Sequence, residues 1–262
     1  MPRFPGTPFR DDLFEGQVAL VTGGATGMGR SIAHAFAAHG ADVHILSRNE
    51  EHLADAAASI EKETGRKVAW HRCDVREPDQ VEAAFAKLPR LDHLVNSAAG
   101  NFVVPFETMS RNAWSTVVNI VLNGTFNATR AAFPLLSRQG GTVTNMVATY
   151  AWGAAPYVSH SGAAKAGVLN LTRSLAVEWA QFGIRLNAVA PGPVKSEGAT
   201  KNLFADPALQ QKIEDSVPLR RFGTPEEMAL AVLYLASPAA SYVTGDCLTI
   251  DGGQWLSNGL FS

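Results

Sequence analysis

What most restricts the fold of this chain is an alternation. From Gly16 onward, short runs rich in Val, Ile and Leu are followed by longer Ala-rich segments with helical spacing. The runs predict strands at Val18–Thr22, Val43–Leu46, Val68–Cys73, His93–Asn96, Thr142–Val147, Arg185–Ala190 and Cys247–Asp251. Between them the spacing predicts helices at Met28–His39, Glu51–Thr64, Pro78–Leu88, Arg111–Arg138, Ser161–Phe182 and Pro225–Ala236, with another within Pro207–Ser216. Strands alternating with helices build right-handed βαβ units. The expected fold class is therefore α/β, one doubly wound and mainly parallel sheet covered on both faces. No internal repeat or low-complexity linker divides it, so residues 16–262 read as one domain. Pro2, Pro5, Gly6 and Pro8 disfavour regular structure at the start, and residues 1–15 read as a tail.

Composition narrows the functional classes. Hydrophobic residues make up 46% and charged residues 18%, which excludes a disordered chain. Lys and Arg number 22 against 24 Asp and Glu, so no global charge draws nucleic acid or an anionic membrane. No apolar run approaches the roughly 18 residues of a membrane span. The first residues lack the apolar core of a secretory signal, and Leu260-Phe261-Ser262 matches no peroxisomal or endoplasmic-reticulum ending, so a cytoplasmic location is expected. Cys73 and Cys247 are the two cysteines, which gives no Cys-based metal motif. If the strands run 3-2-1-4-5-6-7, these cysteines lie on opposite edges, about 29 Å apart, and should not pair.

The first strand runs into Thr22-Gly23-Gly24-Ala25-Thr26-Gly27-Met28-Gly29-Arg30. Glycines at 23, 27 and 29 permit a tight turn and close backbone approach by a diphosphate, and the helix that follows aims free N–H groups at it. A strand before the loop and an Ala-rich helix after it are the context such a cofactor loop requires. Cofactor choice should fall about 20 residues on, near the end of the second strand. An acidic residue there would bind a ribose 2′-hydroxyl. This chain has Ser47-Arg48, and a guanidinium pairs with a 2′-phosphate, so NADP(H) is expected over NAD(H). Asp74-Val75 follows the third strand, where a carboxylate can accept an adenine amino group. Asn96-Ser97-Ala98-Ala99-Gly100 follows the fourth, and its small residues let the chain pass close to a cofactor. Each is also an ordinary turn or cap residue when read alone.

Together these residues resemble the short-chain dehydrogenase/reductase family. Its marks here are the glycine loop, the Asn96–Gly100 turn, Pro191-Gly192 after the sixth strand and the closing Asp251-Gly252-Gly253. The resemblance covers about Gly16 to Gly253. It implies a Rossmann fold, a nicotinamide cofactor touching Gly23, Thr26, Gly27, Met28, Gly29, Ser47, Arg48, Asp74, Val75, Ala98, Lys165, Pro191, Gly192 and Val194, and a homotetramer. The long predicted helices Arg111–Arg138 and Ser161–Phe182 suit such an interface.

The chain departs from the family where the chemistry should be. The family's usual site has a Tyr four residues before a Lys and a Ser thirteen before that Tyr. The lysine is Lys165, but position 161 is Ser and position 148 is Ala. A serine hydroxyl is far less acidic than a phenol and is a poor proton donor for ordinary carbonyl reduction. A replacement phenol, Tyr150, lies 15 residues before Lys165. Tyr150, Asn101, Ser161 and Lys165 resemble the pattern of the 2,4-dienoyl-CoA reductase branch, and the segments 145–152 and 160–167 look especially like its bacterial members. That resemblance implies NADPH-dependent reduction of trans-2,4-dienoyl-CoA thioesters to enoyl-CoA in unsaturated fatty acid degradation.

Hydride added at C5 of such a substrate would push charge onto the thioester oxygen. Tyr150 and Asn101 are suitable donors to it, Lys165 would hold the nicotinamide ribose, and Ser161 sits one helical turn from Lys165 on the same face. Phe102 and Trp152 are candidates to line the acyl channel or simply to pack, and His160 reads as structural. Residues 194–217 interrupt the alternation, with Gly198 near the start and Pro218 just beyond, and are expected to form a lid in which Lys195, Lys201 or Lys212 can meet phosphate. Three other readings stay open: a trans-2-enoyl-CoA reductase, a 3-oxoacyl or general carbonyl reductase, and a catalytically silent NADP(H)-binding sensor or scaffold.

Overall fold

In the computed structural model the described residues are 7–195 and 206–257. Seven strands form one sheet: β1 (Val18–Thr22), β2 (Asp42–Ser47), β3 (Val68–Arg72), β4 (His93–Asn96), β5 (Gly141–Met146), β6 (Ile184–Pro191) and β7 (Cys247–Ile250). All neighbours pair in parallel, in the spatial order β3-β2-β1-β4-β5-β6-β7. The central strand β1, VALVT, is buried at every position because both faces of the sheet are covered, whereas the edge strand β3, VAWHR, is largely exposed. Cys73, just past β3, and Cys247, in β7, are both free thiols, and burial raises each to about 11, which makes them poor nucleophiles.

Eight α-helices cover the sheet among the described residues: α1 (Gly27–Ala38), α2 (Glu50–Thr64), α3 (Pro78–Phe85), α4 (Arg111–Val118), α5 (Gly124–Leu136), α6 (Ser159–Trp179), α7 (Pro207–Ser216) and α8 (Pro225–Ala236). α1, α2 and α8 pack on one face, where Ala33, Ala37, Ala229 and Ala236 let the axes approach closely. α3, α5 and α6 cover the other. Local signals set the starts: Asn49 caps α2 through the His52 N–H, and Thr224 with Glu227 forms a capping box on α8. None of these helices is long and apolar enough to cross a membrane.

The single helix expected over Arg111–Arg138 is interrupted. Asn119–Asn123 makes one wide π turn between α4 and α5, with the Asn123 amide donating to Asn119 Oδ1 at 2.8 Å. β-branched Ile120 and Val121 favour the α-helix weakly, and Ile120 lies in the widened turn, buried. At the front, the predicted tail is anchored from residue 7 onward. Phe14 is 1% exposed and packs on Phe36 and His93, and Arg66 pairs with Glu15. The expected lid lies partly outside the described residues, which exclude Gly198 and Lys201. On its described flanks, α7 returns the chain to Pro218.

Candidate active site

The C-terminal ends of the strands open into a cleft of about 650 Å³ between the β1, β2, β3 and β4 turns. Gly23, Thr26, Met28, Gly29, Ser47, Arg48, Asp74, Val75 and Ala98 line it, together with Ile120 of the π turn and His52 of α2. Two glycines there have steric causes. Gly23 sits at φ +67°, and a Cβ on it would lie 2.8 Å from the Ala98 Cα. A Cβ on Gly29 would lie 2.2 Å from the Gly23 carbonyl oxygen. Gly27, at φ +52°, turns the chain into α1. Thr22 Oγ1 accepts from the N–H groups of Ser97 and Ala98, which ties the β4 turn to the glycine loop. Bare backbone, a helix N-terminus and one guanidinium along a single cleft fit a dinucleotide diphosphate and its ribose.

Sequence reasoning missed Arg76 beside this cleft. Asp74 is already engaged: Arg76 Nε lies 3.0 Å from both carboxylate oxygens, and a terminal nitrogen 2.6 Å from Oδ2. This guanidinium holds the carboxyl below the usual range. The i,i+2 Asp–Arg spacing was visible in the sequence, but only the turn folds it into a chelate. Of the other expected cofactor residues, Pro191, Gly192 and Val194 do not line this cleft. A Cβ on Gly192 would meet the Asp251 Cβ at 2.5 Å, and Val194 is 5% exposed in the core and bridged to Gly223.

The chemical residues converge one turn further along. Tyr150 lies in a short 3-10 turn, Thr149–Ala151, directly after β5. Its hydroxyl is 3.3 Å from Ser161 Oγ on α6. Burial raises the Tyr150 phenol, and hydrogen bonds from the Ser161 and Asn101 side chains act in the opposite direction. Asn101 is fixed by its own turn, with Oδ1 accepting from the Phe102 N–H at 2.9 Å. Lys165, one turn along α6 from Ser161, is 6% exposed and donates to the Met146 carbonyl at the end of β5. Burial lowers its ammonium from 10.5 to about 8. A phenol O–H and a carboxamide meeting near a buried ammonium can receive a carbonyl oxygen that gains charge.

His160 is fully buried, its ring nitrogens have no hydrogen-bond partner among the described residues, and Phe102 packs edge-on at 4.7 Å. Trp152, 37% exposed, meets Trp255 of the C-terminal turn at 5.7 Å and 86°. Trp255 was not among the expected site residues, and no local pattern could have singled it out.

Comparison with known proteins agrees with this architecture. Residues 23–254 match the family model described as enoyl-(acyl carrier protein) reductase. The chain is similar to a protein of Bacillus subtilis named "Probable 2,4-dienoyl-CoA reductase [(2E)-enoyl-CoA-producing]", 46% identical over 250 residues, spanning 93% of this chain and 98% of that one. It is also similar to the "Peroxisomal 2,4-dienoyl-CoA reductase [(3E)-enoyl-CoA-producing]" of Danio rerio, 41% identical over 255 residues, 95% of this chain and 85% of the other. A crystal structure of a short chain dehydrogenase from Bacillus anthracis superposes with a TM-score of 0.87 at 44% identity, covering 94% and 99% of the two chains. A seven-stranded parallel sheet, a glycine-loop cleft and matches over nearly the whole length establish that the chain belongs to the short-chain dehydrogenase/reductase family.

Proposed function

We propose that this protein is a cytoplasmic, NADPH-dependent reductase of trans-2,4-dienoyl-CoA thioesters. The observation that carries the reading is the Tyr150 hydroxyl, 3.3 Å from Ser161 and with Asn101 acting to lower the phenol, in a site whose position 161 lacks the family's usual phenol. The names of the Bacillus and zebrafish relatives support it. Arg48 lines the cleft, and Asp74, the acidic residue among its described lining, is paired with Arg76, which supports a 2′-phosphate over a bare ribose.

When bound, the reduced nicotinamide supplies a hydride to C5 of the conjugated chain. Tyr150 and Asn101 donate to the thioester oxygen as it becomes a dienolate oxygen. Ser161 orients the phenol, and the Lys165 ammonium, anchored on the Met146 carbonyl, adds positive field. Both neutral donors bind charge that develops only in the transition state, so they act mainly on kcat. Protonation of the dienolate at C2 gives a 3-enoyl product and at C4 a 2-enoyl product. We take solvent water as the source of that proton.

We place a second copy of the chain on the apolar groove between α3, α5 and α6, about 810 Å³ and lined by Phe126, Phe133, Leu171, Leu175 and Phe182. It supports the homotetramer, because it lies on the helices expected to form the interface and Phe126 and Phe182 are 50% and 39% exposed.

The test is NADPH oxidation with matched 2,4-dienoyl-, 2-enoyl- and 3-oxoacyl-CoA thioesters, run with Tyr150→Phe alongside. The dienoyl thioester should be preferred, and the variant should lose about 10²–10³ in kcat. A preference for either other thioester, or an unaffected variant, sinks the assignment.

A further inference from the structure

The closing Asp251-Gly252-Gly253 motif has a structural job that the cofactor does not account for. Asp251, just past β7, accepts from the N–H groups of Gly253 and Trp255 at 2.9 and 2.8 Å. Gly252 and Gly253 both take left-handed backbone, at φ +63° and +86°, and reverse the chain. A Cβ on Gly252 would lie 2.6 Å from Val217, so the turn packs tightly under the segment returning from α7. Gln254 donates to Ser216 Oγ at 2.9 Å and Ser257 Oγ bonds the Ser216 carbonyl at 3.3 Å. This clamp delivers Trp255 edge-on to Trp152, two residues after Tyr150. The two indoles stay 42% and 37% exposed; Leu256, next to Trp255 in the chain, and Leu219, against the Gly252 turn, are 71% and 64% exposed. That is more apolar surface than a solvated turn needs, and through Trp152 it adjoins the short turn that carries Tyr150.

The geometry points to Trp255 as the chain-length-determining residue of this enzyme: with Trp152 it forms the apolar wall for the part of the acyl chain beyond the diene. The inference rests on the acyl-CoA reading above, but its test needs no turnover. A saturated straight-chain thioester cannot be reduced, so its binding to the enzyme loaded with NADP⁺ isolates the wall. Calorimetric titrations would run from butanoyl- to dodecanoyl-CoA, with free CoA as reference, on the full chain and on Trp255→Ala and Trp255→Phe. Each methylene that reaches the indoles should tighten wild-type binding about fourfold.

Trp255→Ala should flatten that slope, weakening dodecanoyl-CoA about tenfold or more and butanoyl-CoA less than about twofold. Trp255→Phe should retain most of the slope. Because Trp255 is nearly half-exposed, a thermal melt close to wild type is expected for both variants. An unchanged slope overturns the proposal. So does an equal loss at every length, free CoA included, which would put the indoles against the CoA nucleotide or in a contact between copies. If wild type reduces no dienoyl thioester yet shows a Trp255-dependent slope, the reductase assignment falls and the acyl wall stands.

Discussion

The two halves of this crevice are made in different ways. The cofactor half is built from backbone: Gly23 and Gly29 have no room for a side chain, and one contiguous loop does most of the work. The proposed acyl half would be built from side chains drawn from separate segments, around residues 101, 150, 161 and 255. The backbone half tolerates no substitution at its glycines, because the opposing atom is another peptide group. The side-chain half is permissive as to which residue supplies a group, provided the group arrives at the same place. A phenol from the loop after β5 faces an aliphatic hydroxyl from α6, the reverse of the family's usual supply. The pair of oxygens, 3.3 Å apart, is what the fold keeps.

The strongest way to break this contrast is on the rigid side. Gly29→Ala must displace the Gly23 carbonyl from 2.2 Å, a strain of about 1–3 kcal/mol placed where a diphosphate binds. NADPH affinity, followed by fluorescence titration, should fall by more than about a hundredfold, which is about 2.7 kcal/mol of binding. Near-normal affinity would show that the loop is less constrained than its geometry says.

Lys165 sharpens the contrast, because it trades stability for function. In the unfolded chain its ammonium has the ordinary value of 10.5, and in the fold about 8. The folded state therefore surrenders a proton that the unfolded state keeps between those values. The cost of burying the ammonium is complete below pH 8 and fades as pH rises toward 10.5. Lys165→Met should be more stable than wild type at pH 7, by on the order of 3 kcal/mol, with the gain shrinking above pH 8. Its activity should nonetheless be lost, and wild-type kcat/KM should fall as pH rises through about 8. A destabilised Lys165→Met would mean that the bond to the Met146 carbonyl outweighs desolvation.

The smallest expected effect is at the cleft's polar end. Arg48→Ala should lower kcat/KM for NADPH by about tenfold to a hundredfold, the worth of one charge-assisted phosphate contact, and leave NADH nearly unchanged. Equal losses with both cofactors would remove Arg48 from the discrimination.

Much of this was legible before any coordinates. β1 and β4 and the helices α7 and α8 fall on their predicted bounds, because apolar runs and Pro or Thr starts are local signals. The glycine loop was equally plain, since its constraint is steric and lies within eight residues. Tyr150 and Ser161 were readable as a pair only through spacing to Lys165. The π turn was not: Arg111–Arg138 has helical periodicity throughout, and a one-residue widening leaves that periodicity nearly intact. Nor was the loss of Asp74 as a free acceptor, which depends on how one turn aims Arg76.

By itself, then, the sequence determined the strand–helix alternation, the bare-backbone cradle and the inventory of hydroxyl, amide and ammonium groups. Each follows from periodicity or sterics acting over a few neighbouring residues. The tertiary structure alone decided that Trp255 meets Trp152, that Ile120 enters the cleft and that Val194 goes to the core. Those outcomes depend on strand order and on how crossovers stack. Residues a hundred positions apart become neighbours only when the whole sheet is assembled, and no local energy term carries that information.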